Sequence, residues 1–325
     1  MSGDLGAEVV VRAAAATLEK HSDINLLLVG DQAELDDLVS RIIGDNGRLR
    51  IVHASEVVAM SEPPAEALRR KKDSSMRVAI DLIKNGEADG CVSSGNTGAL
   101  MATAKFVLKT QPGIDRPAFI AELPAIGGSL HMLDLGANAQ ASAEQLFQFA
   151  MMGSIVRSDF QGVERPRVAL LNIGSEDIKG NDTVREAAKM LQDSTLNYVG
   201  FIEGNDLFSG KADVVVTDGF TGNVALKTIE GAVDLVRHFL RQSFTRSWFS
   251  KLQAMLASSV LRRLSVEMDS RNYNGATLVG LNGIVIKSHG GADSVGFQHA
   301  IDTAIVEVRN QLPQQIGSLL QKEAS

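Results

Sequence analysis

The chain repeats one local pattern: a short apolar run, a turn rich in Gly, Asn or Asp, then a stretch with apolar residues at helical spacing. The run 25–30 precedes such a stretch at 34–43, and the run 168–174 precedes another at 182–191. Strands that alternate with helices are joined by right-handed crossovers, which set the strands parallel and put helices on both faces. The pattern therefore predicts an α/β chain, a Rossmann-like three-layer αβα sandwich with a mainly parallel sheet. A chain of 325 residues with 44% hydrophobic content can fill that core. No fixed-period repeat or Pro- or Ser-rich linker divides it, so residues 1–325 read as a single α/β domain with an amphipathic helical insertion at about 235–266. At the start, the turn 2–6 opens a helix over 8–20 with no strand ahead of it, and the sheet is expected to be one strand short.

Composition removes several function classes. A net charge of -7 argues against a general nucleic-acid binder, which would offer a basic surface to phosphates. The single Cys91 rules out a disulfide framework or a multi-cysteine zinc site, and in its apolar run it reads as a buried strand residue. Histidines such as His21 and His53 are scattered without metal-ligand spacing, so no metal is expected. The chain opens without a charged region followed by an apolar core, and no run approaches the roughly 20 apolar residues of a membrane span. A cytoplasmic chain is expected.

Three turns carry the chemistry. The first runs from Ser93 through Asn96, Thr97 and Gly98 into a helix over 99–108; the second holds Asp134 and Asn138 before a helix over 143–156; the third holds Asp218 and Asn223 before a helix over 224–240. A helix N-terminus presents free backbone N–H groups, glycines let a ligand approach the backbone, and Asn and Thr donate to oxyanions. Helix capping alone accounts for any one of these turns. In an open parallel sheet, however, the three would gather along one edge, the usual place for a ligand. None has the Gly-Lys-Ser/Thr of a nucleotide loop or the glycine spacing of a dinucleotide fingerprint, so no nucleotide or redox cofactor is expected. Two more segments add cations: Lys179 in the polar loop 174–181, and Lys287 with His289 beside Gly290 and Gly291. Either lysine can neutralise phosphate and His289 can protonate a leaving group, or the lysine is merely solvated and the histidine a hydrogen-bonded turn residue.

The strings Ser94-Gly95-Asn96-Thr97-Gly98-Ala99, Asp134-Leu135-Gly136-Ala137-Asn138, Asn172-Ile173-Gly174, Asp218-Gly219-Phe220-Thr221-Gly222-Asn223 and Lys287-Ser288-His289-Gly290, in this order, resemble the bacterial acyl-ACP:phosphate acyltransferase (PlsX) family. That family opens with a strand and a turn Asp-x-Met-Gly-Gly-Asp-x-Gly-Pro. Here Ser2 stands for the usual Gly and Ala7 for the usual Pro, and the leading strand is absent. The resemblance implies attack of inorganic phosphate on the thioester of an acyl-carrier protein, giving acyl phosphate and free carrier. It further implies a homodimer, delivery to a membrane-bound glycerol-3-phosphate acyltransferase, and no cofactor. On this reading the backbone at Asn96, Thr97 and Gly98 with Asn223 binds phosphate, and Lys179 or Lys287 neutralises its charge. Asp134, Asn138 and Asp218 orient the site, and His289 protonates the departing sulfur.

Two surface features bear on partners. Between Leu235 and Val266 there is no acidic residue, six basic ones fall there, and apolar residues recur at Leu240, Phe244, Trp248, Leu252, Leu256, Val260 and Leu264. Such a segment lies in an anionic membrane interface, anchored by Trp248 and Phe249 with Arg246 and Lys251 beside them, or packs as a dimer helix. The run Arg69, Arg70, Lys71 and Lys72 is either a docking patch for the acidic carrier or a solvated basic face. Two alternatives stand beside the leading one: a phosphate acetyltransferase-like enzyme using a CoA thioester, and a membrane-associated scaffold with a decayed site.

Overall fold

A computed structural model describes residues 3–267 and 269–323. The chain opens with α1 (Ala7–Lys20), β1 (Leu26–Gly30), α2 (Gln32–Ile42) and β2 (Leu49–His53), and then α3 (Pro64–Arg70), α4 (Ser75–Lys84), β3 (Gly90–Ser93) and α5 (Thr97–Leu108). A hairpin of β4 (Ala118–Ala125) and β5 (Gly128–Leu133) leads to α6 (Ala143–Gln161), β6 (Val168–Leu171), α7 (Asp182–Gln192), β7 (Tyr198–Ile202) and β8 (Val214–Val216). Next come α8 (Gly219–Thr245), α9 (Trp248–Leu256) and α10 (Ser258–Glu267), and the chain closes through β9 (Ala276–Val279), β10 (Ile284–Lys287), α11 (Ser294–Arg309) and α12 (Leu312–Glu323).

Eight strands form one sheet in the order β3-β10-β9-β4-β5-β8-β6-β7, and β1 pairs with β2 in a separate parallel pair. The expected three layers are present, because alternate strand residues feed opposite cores. Phe119, Met132, Val215 and Val285 face α4, α5 and the start of α8, whereas Ile120, Leu133, Val214 and Val216 face α6, α7 and α12. Phe119 and Phe149 are both essentially inaccessible to solvent. Truncating either to Ala leaves a cavity costing about 3–5 kcal/mol.

The sheet is not uniformly parallel. β3 runs with β10, and β5, β8, β6 and β7 run with one another, but β9 is antiparallel to β10 and β4 is antiparallel to both β9 and β5. The two parallel groups therefore point in opposite directions along the ladder. The expectation that three turns share one edge is corrected here. The turns after β3 and β10 form one set, and those after β5, β8 and β6 form another. The net reversal comes from three antiparallel steps in a row, β10–β9, β9–β4 and β4–β5, the last a hairpin turned at Gly127 and Gly128, both with positive φ.

The basic segment is divided among three helices: α8 ends at Thr245, Ser247 caps α9 by accepting from the Ser250 N–H at 3.0 Å, and Ala257 separates α9 from α10. The side chain of Leu264, last in the apolar stripe, lies outside the described residues, as does Ser2.

Candidate active site

The first set of turns is built around the start of α5. Asn96 caps the helix, its Oδ1 accepting from the Ala99 N–H at 3.0 Å, while its Nδ2 donates to the carbonyls of Met60 and Glu62, each at 2.9 Å. The Asn96 side chain is thus spent on fixing the loop over residues 59–64 against the turn. What remains for an anion is the half-exposed helix end at Thr97 and Gly98. Beside it, the Lys287 ammonium donates to the Ser94 carbonyl at 3.2 Å and the Ser288 carbonyl at 2.5 Å. Burial lowers Lys287 to about 8, against the partial support of the Asp4 carboxylate. His289 is exposed; its backbone N–H donates to Asn274 Oδ1 at 2.9 Å, and its Nδ1 accepts from the Gly291 N–H at 3.1 Å. That bond occupies Nδ1, so in the neutral ring Nε2 carries the proton and is the atom able to donate it.

The second set interlocks. Asp134 is wholly buried and accepts from five N–H groups: the backbone of Phe119, Gly136, Ala137 and Asn138, and the Asn138 side chain. Burial pushes its carboxyl up while the donors pull it back. As an enclosed, acceptor-only carboxylate, Asp134 organises the turn. Asn138 does likewise, donating to the Pro117 carbonyl at 2.8 Å, and its own carbonyl accepts from the Gly219 N–H at 2.7 Å. Asp218 caps α8 through the Thr221 N–H at 2.8 Å and hydroxyl at 3.0 Å. At Gly222 an added Cβ would sit 1.9 Å from the Asp134 carbonyl oxygen, so the turn closes only on glycine. Asn223, half-buried, lies with its side chain over Gly136.

Lys179 is exposed on the loop after β6, and its carbonyl accepts from Asn172 Nδ2 at 3.2 Å, which holds the loop in place. In the basic run, Arg69, Arg70 and Lys72 are exposed. Lys71 is not free: it pairs with Glu62 at 2.9 Å and donates to the Val57 carbonyl at 2.5 Å. Trp248 is 78% exposed and Phe249 55%, in edge-to-face contact, with Arg246 and Lys251 also exposed beside them. No helix among the described residues is long and apolar enough to cross a membrane.

Ser94, Ser288 and Asn274 join the first set without having been singled out in the sequence. Ser94 and Ser288 lie inside strings already noted. Asn274 bonds Ser288 Oγ at 2.8 Å and the Gly296 carbonyl at 2.6 Å, and it sits in a connection with no motif to mark it.

The architecture is that of the phosphotransacylases. A solved phosphotransacetylase from Streptococcus pyogenes matches with a TM-score of 0.62, covering 94% of this chain and 91% of that one, at 19% identity, which is a likeness of fold. The family described as "Fatty acid synthesis protein" matches residues 1–315. A phosphate acyltransferase from Nitrosococcus oceani is 55% identical over 322 residues, 99% of this chain and 95% of that one. Another, from Alkalilimnicola ehrlichii, is 56% identical over 322 residues, 99% and 94% of the two chains. The chain belongs to this family of phosphate acyltransferases.

Proposed function

We propose that the protein transfers an acyl group from acyl-[acyl-carrier protein] to inorganic phosphate, releasing acyl phosphate and carrier thiol for phospholipid synthesis. The observation that carries this reading is Lys287, a half-buried cation set at about 8 beside the free amino end of α5. Phosphate is already a nucleophile, so the protein's task is to hold it and to stabilise the oxyanion. A phosphate oxygen attacks the thioester carbon, the tetrahedral adduct collapses, the C–S bond breaks and the sulfur takes a proton. In this assignment Thr97, Gly98 and Lys287 bind phosphate and offset the developing charge, and His289 Nε2 supplies the proton; Asn223 and Lys179 stand on the other set of turns and take no part in it. Arg69, Arg70 and Lys72 receive the acidic carrier.

We assign the α8–α10 arm to the cytoplasmic face of an anionic membrane and to a homodimer, which would bring acyl phosphate to a membrane-bound glycerol-3-phosphate acyltransferase. Exposed Trp248 and Phe249 among basic residues support that assignment. The deciding experiment measures phosphate-dependent thiol release from palmitoyl-acyl-carrier protein and from palmitoyl-CoA, trapping acyl phosphate with hydroxylamine. Faster release from the carrier is expected. Equal or faster release from CoA would move the assignment to a CoA-thioester enzyme, and release from neither would leave a scaffold.

A further inference from the structure

The chain returns from the α8–α10 arm through residues 269–274, and this return leg is fastened to the first set of turns. Asp269 accepts from the Arg271 N–H at 3.0 Å and caps the short turn Ser270–Tyr273. The Arg271 guanidinium bridges Asp269 at 2.6 Å and Asp293 at 3.1 Å, and Asp293 caps α11 by accepting from the Gly296 N–H at 2.9 Å. Gly275 follows with φ +122°, and an added Cβ there would lie 3.0 Å from the Ala300 Cα, so glycine lets the leg lie close against α11.

Asn274 stands at the end of the leg and uses both ends of its amide. Nδ2 donates to Ser288 Oγ at 2.8 Å and to the Gly296 carbonyl at 2.6 Å, while Oδ1 accepts from the His289 N–H at 2.9 Å. The amide can face only this way, because the His289 N–H needs an acceptor and the Gly296 carbonyl a donor. Ser288 is wholly buried, and its own N–H donates to the Ser93 carbonyl at 2.9 Å, which ties the same turn to β3. Beyond it the Ala292 N–H donates to the His289 carbonyl at 3.1 Å, and the Gly291 N–H to His289 Nδ1 at 3.1 Å. The ring bond thus closes on a backbone whose entry is held by Asn274.

We propose that Asn274 is a positioning residue for acyl transfer: it pins the Ser288–His289 turn so that the Gly291 N–H reaches Nδ1 and the proton stays on His289 Nε2. The proposal rests on the reading of His289 as the proton donor. A residue that merely fastened α11 would act through the Gly296 carbonyl alone. The two roles separate in Asn274→Asp. A carboxylate still accepts from the His289 N–H, and the Ser288 hydroxyl can turn to donate to it, so only the bond to Gly296 is lost.

The test measures phosphate-dependent thiol release from palmitoyl-acyl-carrier protein by the full chain, as parent, Asn274→Ala and Asn274→Asp, each with His289 intact and with His289→Ala. Asn274→Ala should lower kcat about 10- to 100-fold with KM for phosphate within about twofold, and Asn274→Asp should recover most of that loss. Neither should slow the His289→Ala variant further, because a residue acting through His289 has nothing left to position. Nitrogen NMR shifts of the His289 ring give a readout free of turnover: the Nε2–H tautomer in the parent and in Asn274→Asp, a mixture of tautomers in Asn274→Ala. Losses that multiply in the double variant, an Asp variant no better than Ala, or unchanged ring shifts in Asn274→Ala would overturn the proposal. So would a normal rate for Asn274→Ala beside a slow His289→Ala, which leaves the proton-donor reading standing. Full turnover by His289→Ala would remove that reading and the proposal with it.

Discussion

The two sets of turns are made of the same residue types, Gly, Asn, Asp and Ser or Thr ahead of a helix, yet they differ in what is left over. In the β5–β8 set the donors and acceptors consume one another: Asp134 takes five N–H groups, and the Asn138 carbonyl takes the Gly219 N–H. In the β3–β10 set Asn96 is tied down and the Lys287 ammonium donates to two backbone carbonyls, but Thr97 and Gly98 are part-exposed and His289 is exposed. The lesson is that a turn motif marks a ligand site only where its own polar groups are not already satisfied. One set is a clasp and the other a cradle.

Gly222→Ala makes the strongest test of that contrast. Its new Cβ would overlap the Asp134 carbonyl, and the clasp has no flexible side chain there to give way. A loss of about 4 kcal/mol or more is expected, seen as poor soluble yield and a collapsed Tm. An unchanged melting curve would mean that the clasp is loose and that the two sets are alike.

Lys287→Met tests the cradle from the opposite side. Turnover should fall about 100- to 1000-fold with KM for phosphate raised, while Tm stays close to the parent. The pH signature has a definite sign. Lys287 titrates near 8 in the folded chain against an ordinary 10.5, so the folded state loses the proton first as pH rises. Activity that needs the cation therefore declines above about pH 8, whereas stability gains between about pH 8 and 10.5, where the unfolded chain holds the extra proton. Both trends should vanish in the Met variant. A parent rate flat from pH 7 to 10 would remove Lys287 from phosphate binding.

The arm should respond to neither change. Replacing Trp248 and Phe249 together with Ala should weaken binding to anionic vesicles about tenfold or more at unchanged Tm, because both rings are exposed. A fall in Tm or in dimer content without loss of vesicle binding would assign these rings to the dimer instead.

The smallest expected effect comes from Glu307, which belongs to neither set. It is buried, hydrogen-bonded by the Thr277 hydroxyl, and pushed up to about 8 by burial, with Oε2 unpartnered. Its folded value exceeds the ordinary 4.5, so the parent loses stability as pH rises from about 4.5 to 8. Glu307→Gln should flatten that slope and raise Tm by a few degrees at pH 8, with little change at pH 5. A parent Tm independent of pH over this range would show the carboxyl to be ionised in the folded chain.

Much of this was legible in the chain itself, and the misses share a cause. The strand over 26–30, the strand over 168–171 and the helices behind them follow from apolar runs closed by turns, which are local. Strand direction is not local. The β4–β5 hairpin had only Gly127 and Gly128 as a signal, and β9 had to find β4 across more than a hundred residues. The same limit applied to side chains. A run of four basic residues looks uniform, but Lys71 is withdrawn by Glu62. Asn274 reaches the cradle only because α11 brings Gly296 to it. The family strings located both sets of turns; they did not tell clasp from cradle, because that depends on which partners are already taken.

α8 joins the two kinds of region in a way that the contrast leaves out. It is capped by Asp218 inside the clasp, carries Asn223 in its first turns, and runs without a break for 27 residues to Thr245, next to exposed Trp248. At 1.5 Å per residue, the stretch from Asn223 to the end of the helix measures roughly 33 Å. A rod of that length acts as a stand-off. Whatever surface receives the tip is held at a set height from the turns at its base, a height gauged by the number of helical residues between them.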